Sequence, residues 1–248
     1  MKESIYLSKG TVFFEVGSGI DISIAMHDGS NQVNCFYAPF FTSEPVKAGS
    51  FIGSIDEGGP VNFMNVKMNV HGNGTHTECS GHVFNNGLKV NAIFENFFFL
   101  CTVISVYPTK KENGDLSIFR RTLEILLEGQ SKECICIRTL PNDPTKRQRH
   151  YSGTNPPFIE KEAMEYLVDI GVEHLLIDLP SVDKEEDGGQ LSAHKAFWHG
   201  ERQNKCTITE LIYIPDKLED GEYLLNLQVA NLALDAVPSR PILYQIKK

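Results

Sequence analysis

The stretch Val70-His-Gly-Asn-Gly-Thr-His-Thr-Glu-Cys-Ser-Gly-His-Val83 gathers three of the chain's eight histidines and one glutamate between positions 71 and 82. Just upstream, Met64, Val66, Met68 and Val70 alternate with Asn65, Lys67, Asn69 and His71. That alternation predicts a strand within 61–71 whose polar face releases His71 at its end. Gly72 and Gly74 open backbone conformations that a β-carbon resists, so the following turn can return His76 and Glu78 toward His71. Two imidazoles and a carboxylate are donors that zinc and manganese sites use, and a polar site leaves room for a bound water. A solvated glycine-rich turn is the plainer alternative, and it accounts poorly for so tight a cluster.

Outward from this stretch, β-branched and aromatic runs at 11–15, 20–26 and 97–106 are punctuated by Gly, Asn, Asp and Pro and predict strands. Leu116, Phe119, Leu123, Ile125 and Leu126 recur at helical intervals before Gly129. A strand follows at 134–140, where Cys134 and Cys136 share one face as buried packing residues. Residues 160–170 have helical spacing and end at Gly171, before the apolar strand His174-Leu-Leu-Ile-Asp178. Further strands are expected at 207–214, 223–229 and 242–246, the last after a turn from Asp235 to Pro241. No repeat or long linker divides the chain, so a single α/β domain over 1–248 is expected, with more strand than helix and no regular βαβ alternation.

The chemistry-bearing residues resemble a known family. Gly74-Thr-His-Thr-Glu-Cys-Ser-Gly-His82 is similar to the H-x-G-T-H-x-D-x-P-x-H signature of the metal-dependent cyclase-like hydrolases, the family of bacterial kynurenine formamidase (arylformamidase) and isatin hydrolase. Ile177-Asp-Leu-Pro-Ser-Val-Asp183, Ser192-Ala-His194, Thr207-Ile-Thr-Glu-Leu211 and Asp235-Ala-Val-Pro-Ser-Arg240 follow in that family's order. The resemblance implies a swivelling β/β/α fold of mixed sheets with flanking helices. It also implies a centre of one or two divalent metals, zinc or else manganese, held by His71, His76, Glu78, His194 and Glu210. His82 would be the acid/base catalyst, and Glu210 would either ligate or help hold the attacking water. The implied reaction is hydrolysis of an amide by a metal-activated water. The implied substrate is a small molecule, an arylformamide such as N-formylkynurenine or a cyclic amide, and the implied assembly is a homodimer or homotetramer. Three departures mark a divergent member: Asn73 inserted between His71 and His76, Glu78 in place of aspartate, and Ser80 in place of proline. They also admit a non-catalytic protein with a structural metal or bound small molecule, or a hydrolase of lactone-type rings.

Other residues carry weaker signals. His199 competes with His194 as the later ligand, and Trp198 suits either an aromatic pocket or the core. Asp178 and Asp183 suit partners of a ligating histidine, with a turn or cap role also open to Asp183. Ser80 lacks the Gly-x-Ser-x-Gly elbow of a serine nucleophile. Cys79 is expected to pack, and His27, His150 and His174 have no sequence partners. A formal charge of −9 from 32 acidic and 23 basic residues argues against nucleic acid or an anionic membrane as the main partner. Residues 1–9 lack the apolar core of a secretory leader, and the scattered cysteines lack the density of a disulfide framework, so a reduced, cytoplasmic protein is expected.

Overall fold

The computed structural model describes residues 3–7 and 10–247, so part of the N-terminal stretch read for a leader lies outside the described residues. Seven strands organise it: β1 (His76–Glu78), β2 (Phe98–Val106), β3 (Cys134–Thr139), β4 (His174–Ile177), β5 (Thr207–Glu210), β6 (Gly221–Val229) and β7 (Ala236–Gln245). They lie in the order β6-β2-β3-β4-β5-β1-β7, and β7 pairs again with β6, so the sheet closes on itself. The pair Ile20–Asp21 hangs outside this ring on β7. β2 to β5 run parallel, whereas β1, β6 and β7 pair antiparallel with their neighbours.

Alternation along the parallel strands divides the core. Cys101, Val103, Cys134, Cys136 and Leu176 meet Leu225, Leu227 and Leu243 from the opposite wall inside the barrel. Ile135, Ile137, Leu175, Ile177 and Ile208 face outward against the helices. Such strands are covered on both faces, which is why β3 and β4 are continuous apolar runs without alternation. Cys134 and Cys136 therefore share the inner face, packed against Cys101, and all six cysteines are free. The outer layer holds α1 (Arg120–Leu127), α2 (Lys161–Asp169) and α3 (Ser192–Phe197). α2 buries Ala163, Met164 and Leu167, and the chain turns after it at Gly171, whose φ of +92° suits glycine. Among the described residues no helix is long and apolar enough to cross a membrane.

The mixed α/β class agrees with the sequence, but several local expectations do not, and the strands expected at 20–26 and 207–214 extend only over Ile20–Asp21 and Thr207–Glu210. Leu116–Ile118 is a strand between Thr109–Lys110 and Phe158–Ile159, and the helix begins only at Arg120. The stretch from Asp235 to Pro241 is largely strand, because β7 pairs first with β1 and then with β6. The strand expected within 61–71 is reduced to Met64–Lys67, which pairs with Thr42–Pro45 and is exposed on both faces. Its alternation is therefore not that of a half-buried strand, and His71 sits in the turn beyond it.

Candidate metal centre

β1 lies between β5 and β7, with His76 opposite Glu210 and Pro238, and Glu78 opposite Ile208 and Ala236. His76 and Glu78, two positions apart, project from the same face of this short strand. His71 is delivered by a turn that Asn73 builds. The Asn73 Oδ1 accepts from the Asn69 amide at 2.7 Å, and its Nδ2 donates to the Pro39 carbonyl at 3.0 Å. The residue extra to the family signature is thus a buried plug that shapes the loop carrying the first histidine. Gly72 and Gly74 are required for a different reason from the one the sequence suggested, since neither has a positive φ. A β-carbon on Gly72 would lie 2.5 Å from that of Ala38, and one on Gly74 would lie 2.9 Å from the Ile24 carbonyl. Close approach of chains, not left-handed backbone, demands glycine there. A short 3-10 turn over Ser80–His82 then brings His82 back over the cluster.

The six side chains expected at the site converge. His71 Nδ1 lies 3.3 Å from Glu78 Oε2, and His76 Nε2 lies 3.4 Å from Glu210 Oε2. His194 Nε2 lies 2.9 Å from Glu78 Oε1 and 3.8 Å from Glu210 Oε1. His82 Nε2 lies 3.8 Å from Glu78 Oε2, and its ring stacks on that of His71 at 4.2 Å. Two donor sets share Glu78: His71, His76 and Glu78, and Glu78, His82 and His194, each with ligand atoms within 4.8 Å of one another. His76 Nε2 and Glu78 Oε2 are fully buried and make no hydrogen bond. Buried polar atoms are rarely left so. Two orphaned donors of the right chemistry, aimed at a common point, fit a dication.

The electrostatics agree. Burial opposes charge on Glu78, but His194 and His71 outweigh it and hold the carboxyl well below the usual range. Burial likewise opposes the imidazolium of His194, yet Glu78, Asp183 and Glu210 raise its pKa well above the ordinary value. His71 is raised to about 10 by Asp235 and Glu78 against its own desolvation. Converging carboxylates thus draw protons onto the imidazoles, and a dication would take the place of those protons.

The surrounding residues sort the remaining candidates. Asp183 does both things proposed for it: its oxygens accept from the Ala193 and His194 amides at the start of α3, and Oδ2 lies 2.6 Å from His194 Nδ1. Asp178 does not approach a site histidine; it is buried against Lys146 at 2.8 Å and accepts from Thr139. His199 is exposed, so α3 turns only His194 into the site. Trp198 is core, its indole donating to the Cys206 carbonyl at 2.9 Å. Ser80 donates to the Gln203 carbonyl, and Cys79 is buried in an apolar cluster. His174 is buried against Phe94 and Phe99, with Thr207 Oγ1 2.9 Å from its Nδ1, while His27 and His150 are exposed. Asp235, read in the sequence only as part of a turn, lies 3.4 Å from His82 Nδ1 and 3.5 Å from His71 Nε2, and His71 lowers its pKa to about 2. It stands 153 positions from His82, so the motif that begins at Asp235 did not show that it meets the histidines.

The cluster floors a pocket of about 250 Å³ that His71, His82, His194 and Glu210 line from below. Against known proteins, residues 20–184 match the family described as putative cyclase. A kynurenine formamidase of Bacillus thuringiensis subsp. konkukian is 28% identical over 199 residues, covering 78% of this chain and 85% of that protein. Among solved structures, a potential metal-dependent hydrolase with cyclase activity superimposes with a TM-score of 0.68 at 18% identity, covering 93% of this chain and 98% of its own. Isatin hydrolase A from Labrenzia aggregata, bound to benzyl benzoate, gives 0.68 at 14% identity, covering 92% and 94%. These structures share the fold.

Proposed function

The chain belongs to the cyclase family, and from that membership and its donor cluster we propose a metal-dependent hydrolase that cleaves an amide C–N bond outside peptides. The substrate class we assign is an arylformamide such as N-formylkynurenine, or a cyclic amide, after the kynurenine formamidase and isatin hydrolase it resembles. The observation that carries the metal is the pair of orphaned buried atoms, His76 Nε2 and Glu78 Oε2. His71, His76 and Glu78 would hold one cation, and Glu78, His194 and Glu210 a second; zinc suits this histidine-rich set best, with manganese as the alternative.

A bound dication supplies Lewis-acid polarisation of the amide carbonyl and lowers the pKa of a water. His82 is the proton carrier: its side chain is 30% exposed, and it stands at the pocket floor where a leaving amine can be reached. Asp235, 3.4 Å from Nδ1, fixes the ring so that Nε2 faces the cluster. Glu210 Oε1 accepts from the Val182 amide at 2.9 Å, which leaves Oε2 to a metal or to the attacking water. Asp183 holds His194 through Nδ1 and so turns Nε2 inward. The whole chain acts as one domain. A cytoplasmic setting is supported by the free cysteines, and a homodimer or homotetramer by the exposed Phe63, Met64, Val66 and Met68.

Purified protein should carry stoichiometric zinc or manganese, and His82→Ala should abolish formamide hydrolysis while metal content stays near native. Metal-free protein with a fold indifferent to chelator would remove the metal reading, and loss of metal in His82→Ala would move His82 into the ligand set.

A further inference from the structure

Six residues other than glycine have positive φ among those described, and three of them adjoin the metal pocket. Phe36 (φ 57°) and Leu191 (φ 48°) line it, and Leu211 (φ 54°) directly follows Glu210. Tyr37 (φ 52°) extends the strained pair at Phe36. Left-handed backbone is unfavourable for bulky side chains and persists only where surrounding structure enforces it. The enforcement is visible: the Cys35 amide donates to the Gly72 carbonyl at 3.1 Å, and the Tyr37 amide donates to Ser152 Oγ at 2.8 Å. Burial does not repay the strain, since Phe36 remains 40% exposed. The gain lies in where the ring is presented, beside the turn that carries His71.

Away from the metal cluster the pocket wall carries Lys184, Glu185 and Asp187, and all three are already engaged. Lys184 Nζ lies 2.9 Å from both oxygens of Asp115, Glu185 accepts from the Gly153 amide, and Asp187 accepts from the Gly189, Gln190 and Leu191 amides. Phe36 and Leu191 are thus the side chains that offer this pocket apolar contact. We infer that Phe36 and Leu191 form an apolar clamp that receives an aromatic ring and thereby sets the selectivity of the site for aryl over alkyl amides. The inference rests on the amide-hydrolase reading for the reaction, though not for ring binding.

Calorimetric titration of the zinc-loaded protein with benzamide and pentanamide measures ring recognition without turnover, as a ratio of dissociation constants. The native protein should favour benzamide. Phe36→Gly should reduce that preference about ten-fold, the size of one lost aromatic contact. Its melting temperature should not fall, because glycine adopts this backbone without strain. Phe36→Asn, which tolerates left-handed backbone, should repeat the loss, and Tyr37→Gly should keep the native ratio. A native ratio near one, or a Phe36→Gly ratio within about two-fold of native, overturns the clamp. So does a Phe36→Gly protein that melts below native, since Phe36 would then support its loop and not read the ring. Formanilide turnover is scored separately. Its absence, together with no hydrolysis of the cyclic amide isatin, in a protein that still discriminates benzamide through Phe36 removes the hydrolase reading and leaves the clamp. Turnover with discrimination independent of Phe36 does the reverse.

Discussion

Asp183 shows how one carboxylate serves two ends. Its oxygens cap the first turn of α3 and also hold the His194 ring through Nδ1 at 2.6 Å. Asn in its place keeps an acceptor for the Ala193 amide but loses the charge that favours the inward-facing Nε2 tautomer. Asp183→Asn should therefore fold normally and bind zinc roughly 10–100-fold more weakly, as losses of such supporting partners do. A competition titration against a chromophoric chelator reads this directly, and unchanged affinity would leave Asp183 a helix cap only. His71, His76, Glu78 and His82 were legible because the 71–82 stretch is locally dense in such residues, whereas His194 and Glu210 were reached only through the family resemblance. Asp235 was not, because its contacts join segments that only the closed sheet brings together.

Between elements, the ends of β3 and β4 are joined by a buried ion pair. Lys146, from the 3-10 turn over Pro144–Gln148, donates to the Thr139 carbonyl at 2.6 Å and to Asp178 at 2.8 Å, and both charged residues are nearly inaccessible. Burial raises the Asp178 pKa, against the opposing pull of Lys146 and Thr139. Removing one partner strands a charge, so Lys146→Met should cost about 3–5 kcal/mol in urea unfolding. The double variant with Asp178→Asn should recover part of it, and no recovery would mean that Lys146 acts through packing alone. Elements such as α2 and β4 could be read from sequence because an apolar face or run is a local property. The short length of β1 and the pairing of β6 with β7 could not, since ring closure depends on partners far apart in the chain. The alternation at 64–70 misled for a related reason: periodicity states that one face differs from the other, and does not state what covers it.

For the whole molecule, two linked equilibria set stability. The first is metal: a cation bound only by the native fold, at about 100 times its dissociation constant, adds about 2.7 kcal/mol. For a chain of this size that raises the melting temperature by roughly 5–10 °C, and calorimetry with and without chelator measures it. The second is His174, outside the metal donor sets, which burial holds neutral with a pKa lowered to about 4. Unfolded, the same imidazole titrates near 6.5. Above that value neither state is protonated and His174 is without effect on pH dependence. As pH falls from about 6.5 toward 4 the unfolded chain takes up a proton that the folded one refuses, so stability declines by about 3 kcal/mol across that window and levels off below it. Asn at this position keeps a partner for Thr207 and has no proton to gain. The difference in unfolding free energy between His174→Asn and the native chain, both metal-free, should therefore shift in favour of the variant by about 3 kcal/mol between pH 7 and pH 4. A difference that stays constant with pH would show that His174 titrates alike in both states.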